Sequence, residues 1–263
     1  MGLMPNRPDR IRIGAASLVW GFDLSDRVLL ETFLRDAADI GYEGVLLFDT
    51  SLAPWLDRPT EFKALLDQYS LDMIGAILRP SLDFKGTERL ASFLAAVNAD
   101  IINISGPDGT QAEWDLVIPA LQRHADIAHQ FGIRASYQHH TGWIAETMEQ
   151  YEQLLAATNR ETFGVMTDCG HATKDFVGHT SQEFILRHPE LDYIEFKDFT
   201  IESDLRTEVG RGIADWPAIA DAIRSIGYKG WIVIEQNGSM RPPRVCAAES
   251  FHYVRDVLGI GAQ

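Results

Sequence analysis

Cysteine is almost missing from the chain: only Cys169 and Cys246 occur, so no disulfide framework can carry the fold and both thiols are expected to be reduced. Basic residues are also scarce, with Lys and Arg numbering 23 against 38 Asp and Glu, for a formal charge of −15. Such a surface repels a phosphate backbone, which argues against a nucleic-acid partner. No apolar run approaches the roughly 20 residues that span a bilayer, so no membrane segment is expected. Residues 1–10 are rich in Arg, Pro and Asp and lack the apolar stretch of a signal peptide. They read as a flexible N-terminus, and the protein as cytoplasmic. Glycine-rich phosphate turns are absent too: neither G-x-G-x-x-G nor a Walker sequence occurs, and the first apolar run is followed by Leu18-Val19-Trp20-Gly21-Phe22. Nucleotide binding is left without support.

What is present is the composition of a globular protein, 46% hydrophobic and 23% charged over 263 residues, near the upper size for one core. Eight short apolar runs recur: Ile11–Ser17, Gly44–Phe48, Met73–Leu78, Ile101–Ser105, Ile133–His140, Gly164–Asp168, Tyr193–Asp198 and Gly230–Glu235. They start about 31 residues apart on average, the size of one strand, one helix and their loops. The stretches between them have helical periodicity. Ser25–Ile40, for example, carries apolar residues at three- and four-residue spacing and stops at Gly41. Strands apolar on both faces that alternate with helices require a parallel sheet covered by helices. Eight such units without a linker predict one domain over residues 1–263, a single (β/α)8 TIM barrel of the α/β class.

In such a barrel the chemistry lies at the C-terminal ends of the strands. Those ends carry Trp20, Asp49, Arg79, Asn103 and Ser105 in the first half. The second half is richer, with Gln138-His139-His140, Asp168-Cys169-Gly170-His171, Glu195-Phe196-Lys197-Asp198 and Glu235-Gln236-Asn237. Residues i and i+2 of a strand share a face, so Gln138 and His140 point inward together while His139 points away, and Glu195 pairs with Lys197 in the same way. Glu235 ends an otherwise apolar run, where a carboxylate is costly unless paired or bound to metal.

Each of these residues has a structural explanation when taken singly. Asp168 or Glu235 can cap a loop or helix. Lys197 can pair with Asp198 or Glu195, Arg211 can face solvent, and Trp20 or Trp143 can belong to the core. Cys169 reads as packing. Four adjacent strand ends that each bring an oxygen or nitrogen donor point instead to a metal ion.

The motifs resemble the sugar phosphate isomerase/epimerase family, the xylose-isomerase-like barrels related to endonuclease IV, from Arg12 to Gly259. Asp168-Cys169-Gly170-His171 is similar to the D-x-G-H turn of the family's sixth strand, and Ile194-Glu195-Phe196-Lys197-Asp198 to its H-x-K-D seventh strand. Gly210-Arg211-Gly212-Ile213-Ala214-Asp215-Trp216 and Gly227-Tyr228-Lys229-Gly230-Trp231-Ile232-Val233-Ile234-Glu235 resemble its G-x-G-x-x-D-[WF] loop and its eighth strand. Tyr137-Gln138-His139-His140-Thr141-Gly142 is closest to the fifth strand of inosose dehydratase-type members.

The resemblance implies one divalent cation held at Gln138, Asp168, Glu195 and Glu235. His140 and Glu146 are substitutes for Gln138, since Gln138 stands where Glu is common and Glu195 where His is general. Hard oxygen ligands favour Mn²⁺ or Mg²⁺, with Co²⁺ and Zn²⁺ as alternatives. The DNA-repair chemistry of endonuclease IV does not suit so acidic a chain without Lys/Arg clusters.

The expected function is abstraction of a proton α to a carbonyl of a keto-sugar or keto-cyclitol through an enediolate, followed by β-elimination of water or of an aglycone. His140 or Glu235 is the expected base, and His171 and Lys197 bind substrate oxygens or deliver a proton. His171, Arg211, Trp20 and Trp143 are the expected substrate contacts. Isomerisation or epimerisation of a ketose is one alternative, and a non-catalytic partner subunit of a sugar-processing complex is another. The substrate partner is a small carbohydrate. Arg241-Pro242-Pro243-Arg244 and exposed tryptophans suggest a homo- or hetero-oligomer.

Overall fold

A computed structural model describes residues 8–81, 83–106 and 113–261. Its eight barrel strands are β1 (Ile11–Ala16), β2 (Gly44–Phe48), β3 (Asp72–Leu78), β4 (Ile101–Ile104), β5 (Arg134–Tyr137), β6 (Met166–Asp168), β7 (Tyr193–Phe196) and β10 (Gly230–Ile234), all parallel. A two-stranded hairpin, β8 (Asp198–Thr200) and β9 (Asp204–Thr207), is inserted after β7. The sheet order is β5-β4-β3-β2-β1-β10-β7-β6, and a bridge from Ala135 to Phe163 joins β5 to the segment before β6. With that bridge the sheet nearly closes on itself, so the barrel expected from the βα period is the fold observed.

The helices are α1 (Arg27–Ile40), α2 (Asp49–Leu52), α3 (Pro59–Gln68), α4 (Lys85–Ala96), α5 (Trp114–Gln130), α6 (Met148–Ala156), α7 (Cys169–Asp175), α8 (Ser181–Arg187), α9 (Trp216–Ser225) and α10 (Pro243–His252). In α1 the local causes are plain. Asp26 caps the start by accepting from the Val28 and Leu29 N–H groups, and Leu30, Phe33, Leu34, Ala37 and Ile40 form the buried stripe. Gly41, with φ of 108°, ends the helix in a conformation other residues avoid. No helix among the described residues is long and apolar enough to cross a membrane.

Two apolar layers result. Leu46, Ile74, Met166, Tyr193, Trp231 and Val233 belong to the core that fills the barrel. The larger cluster, including Phe33, Phe62, Phe93, Phe163 and Trp216, lies between strands and helices.

Several expectations need correction. The seventh run, read as one strand over Tyr193–Asp198, breaks at Lys197, and Asp198 opens the hairpin instead. Its carboxylate accepts from the N–H groups of Gly210 and Gly212, both at 2.9 Å, and from Trp216 Nε1 at 2.7 Å. A Cβ at Gly212 would lie 2.0 Å from Asp198 Oδ1, so the Gly-flanked loop is shaped to wrap this carboxylate. No tryptophan among the described residues is exposed, and Arg241 is held by Glu208 and Glu249, while Pro242 and Arg244 of the same segment are exposed. Of the N-terminal segment, residues 1–7 lie outside the described residues, while Arg10 is tied to Glu43.

Buried imidazoles give the fold an acid limit. His124 is 1% exposed and hydrogen-bonded to Thr87 Oγ1 at 2.7 Å, and burial pushes its pKa from 6.5 down to about 4. The unfolded chain therefore binds a proton between those values that the folded chain does not, so stability present above pH 6.5 is lost as the pH falls toward 4. Urea midpoints measured from pH 7 to 4.5 are expected to fall, and less steeply in His124→Gln. An identical slope in the variant would remove His124 from the account.

Candidate active site and metal centre

β6, β7 and β10 are neighbours in the barrel, with Asp168 opposite Glu195 and Glu195 opposite Val233. Glu235 lies two residues beyond Val233 and so on the same face of the sheet. The result is a buried triad, Asp168, Glu195 and Glu235, whose carboxylate oxygens come within 4.8 Å of one another. Gln138, just past β5, donates from Nε2 to Asp168 Oδ2 at 3.0 Å and to Glu195 Oε2 at 2.7 Å. The Lys197 ammonium lies 2.9 Å from Asp168 Oδ2 and 2.5 Å from Glu235 Oε2.

A cavity of about 140 Å³ opens above this cluster. Its apolar wall includes Leu18, Phe22, Phe48 and Ile77, and its polar wall Gln138, His140, Lys197, Glu235 and Asn237, with Arg79, Ser105 and Trp143 completing it. Gly170 lets α7 approach this point: a Cβ there would lie 2.8 Å from Lys197 Cβ.

The electrostatics follow from burial and crowding. Burial pushes the Glu195 carboxyl well up, and the neighbouring Glu235 carboxylate pushes it further. Burial also raises Glu235, outweighing the nearby Lys197 ammonium. At Asp168 burial acts in the same direction, but Lys197 and the adjacent imidazoles outweigh it and hold the carboxyl low. Burial works against the Lys197 charge, yet Asp168 and Glu235 more than compensate and raise its pKa. Three carboxylates thus face one ammonium. Glu195 Oε1 and Glu235 Oε1 are buried without a hydrogen-bond partner, a costly arrangement that a cation would relieve. The donor set, hard oxygens with a net negative charge, fits a divalent cation of the Mg²⁺ or Mn²⁺ kind.

Two histidines stand beside the triad. His140 stacks on Trp143 at 3.8 Å and lies 3.9 Å from the His171 ring. Its Nδ1 is 2.9 Å from the Thr141 carbonyl, which assigns the proton to Nδ1 and leaves Nε2 as an acceptor. His171 Nδ1 accepts from the Thr141 N–H at 3.3 Å, which assigns its proton to Nε2, a buried atom otherwise without a partner and 3.9 Å from Asp168 Oδ2. Thr141 thereby fixes opposite tautomers on the two rings. Burial lowers both pKa values to about 3, so both rings are neutral near pH 7.

The expected residues divide into two groups. Gln138, His140, Asp168, Glu195, Lys197 and Glu235 are brought together around the cluster, with Trp143 on the cavity wall. Lys197 pairs with Asp168 and Glu235 rather than with Asp198 or Glu195. His171 is not on the wall; it is fully buried beside Asp168 and His140.

Three residues lie elsewhere. Trp20 follows a 3-10 turn that swings its indole to α1, where Nε1 donates to Asp36 at 3.1 Å and the ring packs on Phe33. Arg211 pairs with Glu249 at 2.9 Å with its side chain 60% exposed, because the loop it sits on is anchored by Asp198. Glu146 is half-buried beside the cap of α6, where its own N–H donates to Gln150 Oε1, and it does not belong to the acidic cluster.

Arg79 and Asn237, noted at strand ends without an assigned role, line the cavity, and the residues that the sequence reading gave no place in the site are Phe22 and Thr141, both in loops. Strand-end position marked the first two. Loop residues carry no periodicity to mark them.

The fold and the late-strand cluster define a barrel with an acidic centre at its C-terminal rim, and the chain belongs to the xylose isomerase-like TIM barrel family, whose profile matches residues 34–257. It is 27% identical to the inosose dehydratase of Geobacillus thermodenitrificans (strain NG80-2), with 97% of this chain and 99% of that protein aligned. The inosose dehydratase of Lactiplantibacillus plantarum is 25% identical over 87% of this chain and 89% of its own length. Among solved structures, a D-allulose 3-epimerase from Methylomonas sp. superposes with a TM-score of 0.78 at 19% identity, covering 95% of this chain and 99% of that one.

Proposed function

We propose that the protein is a divalent-metal-dependent enzyme that removes a proton α to a carbonyl of a keto-sugar or keto-cyclitol and expels a β-substituent, a dehydratase-type lyase. The observation that carries this reading is the buried triad with two unpartnered carboxylate oxygens at the base of a cavity. The names of the full-length relatives support the substrate class.

Asp168, Glu195 and Glu235 would hold the cation, which when bound polarises a carbonyl and its neighbouring hydroxyl and so acidifies the adjacent C–H. Glu235 lines the cavity and is placed as the proton acceptor, whereas burial weakens the His140 ring as a base. His140 Nε2, with its tautomer fixed, accepts from a substrate hydroxyl and orients it. Lys197 gives a proton to the departing oxygen, which leaves as water or an alcohol while the α-proton rests on Glu235. Trp143 and Phe22 give the ring an apolar surface.

Gln138 cannot accept a proton as a second carboxylate on the opposite strand would, which favours elimination over two-base epimerisation. Incubation with scyllo-inosose, 3-keto-glycosides and ketohexoses, with Mn²⁺ or Mg²⁺ in deuterated water, tests the proposal. Enone absorbance or released aglycone is expected. Deuterium exchange with recovery of an epimer would replace it by the epimerase reading, and inertness toward all three substrates would favour the non-catalytic subunit.

A further inference from the structure

Asp168 has little to offer a cation. Its Oδ1 caps α7 by accepting from the N–H groups of Gly170 at 2.9 Å and His171 at 3.1 Å. Only Oδ2 is left, and that oxygen already accepts from Lys197 Nζ and Gln138 Nε2, at 2.9 and 3.0 Å. Two donors fill the lone pairs of one carboxylate oxygen. Gln138 also turns the wrong end toward the cluster: its Nε2 faces Asp168 and Glu195, while Oε1, the atom that ligates cations, lies 3.4 Å from Asn103 Nδ2. Of the three carboxylates only Glu235 reaches the cavity wall, whereas Gln138 and Lys197 both lie on it. The chain's own donors therefore hold Asp168 Oδ2, Glu195 Oε2 and Glu235 Oε2, and leave Glu195 Oε1 and Glu235 Oε1 as the oxygens of the triad without a donor.

We propose that Lys197, assisted by the Gln138 amide, competes with the divalent cation for Asp168 Oδ2 and Glu235 Oε2, and that cation binding turns the Lys197 ammonium out into the substrate cavity. The inference rests on the metal reading above and adds to it that cation affinity is set by displacement of an internal cation. Lys197, which already lines the cavity, then has its ammonium free of Asp168 and Glu235 for substrate only in protein that has taken up its metal.

Calorimetric titration of Mn²⁺ into the wild type and Lys197→Met is the first test. Loss of a like charge beside the ligand oxygens is expected to tighten binding at least about tenfold. Asp168→Asn is the control that abolishes binding in either background. The second test needs no variant: acetic anhydride labelling of the wild-type protein, read by mass spectrometry, should leave Lys197 protected without added metal and acetylate it several-fold faster with saturating Mg²⁺. Equal or weaker Mn²⁺ binding by a folded Lys197→Met overturns the competition while leaving the metal reading intact, as does metal-independent labelling of Lys197 in protein that binds Mn²⁺. Failure of the wild type and Lys197→Met alike to bind Mn²⁺ overturns the metal reading and this inference with it.

Discussion

Glu235→Gln is expected to lower turnover at least about a thousandfold, because under the proposed function one substitution removes a cation ligand and the proton acceptor together while preserving side-chain shape. The fold is expected to survive. Removing one partner of a buried ion pair ordinarily costs several kcal/mol, but this pair sits in a cluster of three carboxylates and one ammonium. Glu195 is pushed up partly by the Glu235 carboxylate, so neutralising Glu235 relieves a like-charge repulsion, and Lys197 keeps its contact with Asp168. Steady-state rates beside a thermal melt of the same preparation make the measurement. A folded Glu235→Gln protein within tenfold of wild-type turnover would place the chemistry elsewhere.

His140→Ala and His139→Ala should differ in kind. His140 faces the cavity, so its loss is expected to reduce kcat by about a hundredfold with little change in stability. His139 points to the other side of the strand, where it packs among Tyr151, Phe176 and Phe184. Its Nε2 accepts from the Asp168 N–H at 3.1 Å. Truncating it leaves a cavity in the helix layer and a buried donor unsatisfied, for a loss of about 2–4 kcal/mol in unfolding free energy. From its outward position alone His139 would be the milder change. With its surroundings known, mildness is expected for turnover per folded molecule and not for stability. Urea melts and active-site-normalised rates separate the two, and a reversed order in kcat would mean that His139 is the ring facing the cavity.

Much of this site is legible in the sequence. The alternation of side chains along a strand is a local property, so the inward placement of Gln138 and His140 and the outward placement of His139 follow from their numbering. Glu235 was marked by the apolar run it ends. Trp20 and Arg211 misled because each belongs to a motif at a strand end or a glycine-flanked loop, and such loops are directed by anchors distant in the chain. The Asp198 carboxylate and the 3-10 turn at Ser17–Val19 supply that direction here.

The sequence by itself determined the βα period, hence the barrel, and the concentration of ligand-type residues on its late strands. The tertiary structure decided which donors meet which acceptors: that Lys197 bridges Asp168 and Glu235, that Gln138 presents its amide nitrogen, and that His171 stands behind His140. The physical reason is one of range. Periodicity reports the face a residue takes on its own element, whereas an ion pair depends on the register of neighbouring strands and on barrel closure, which only the packed core fixes.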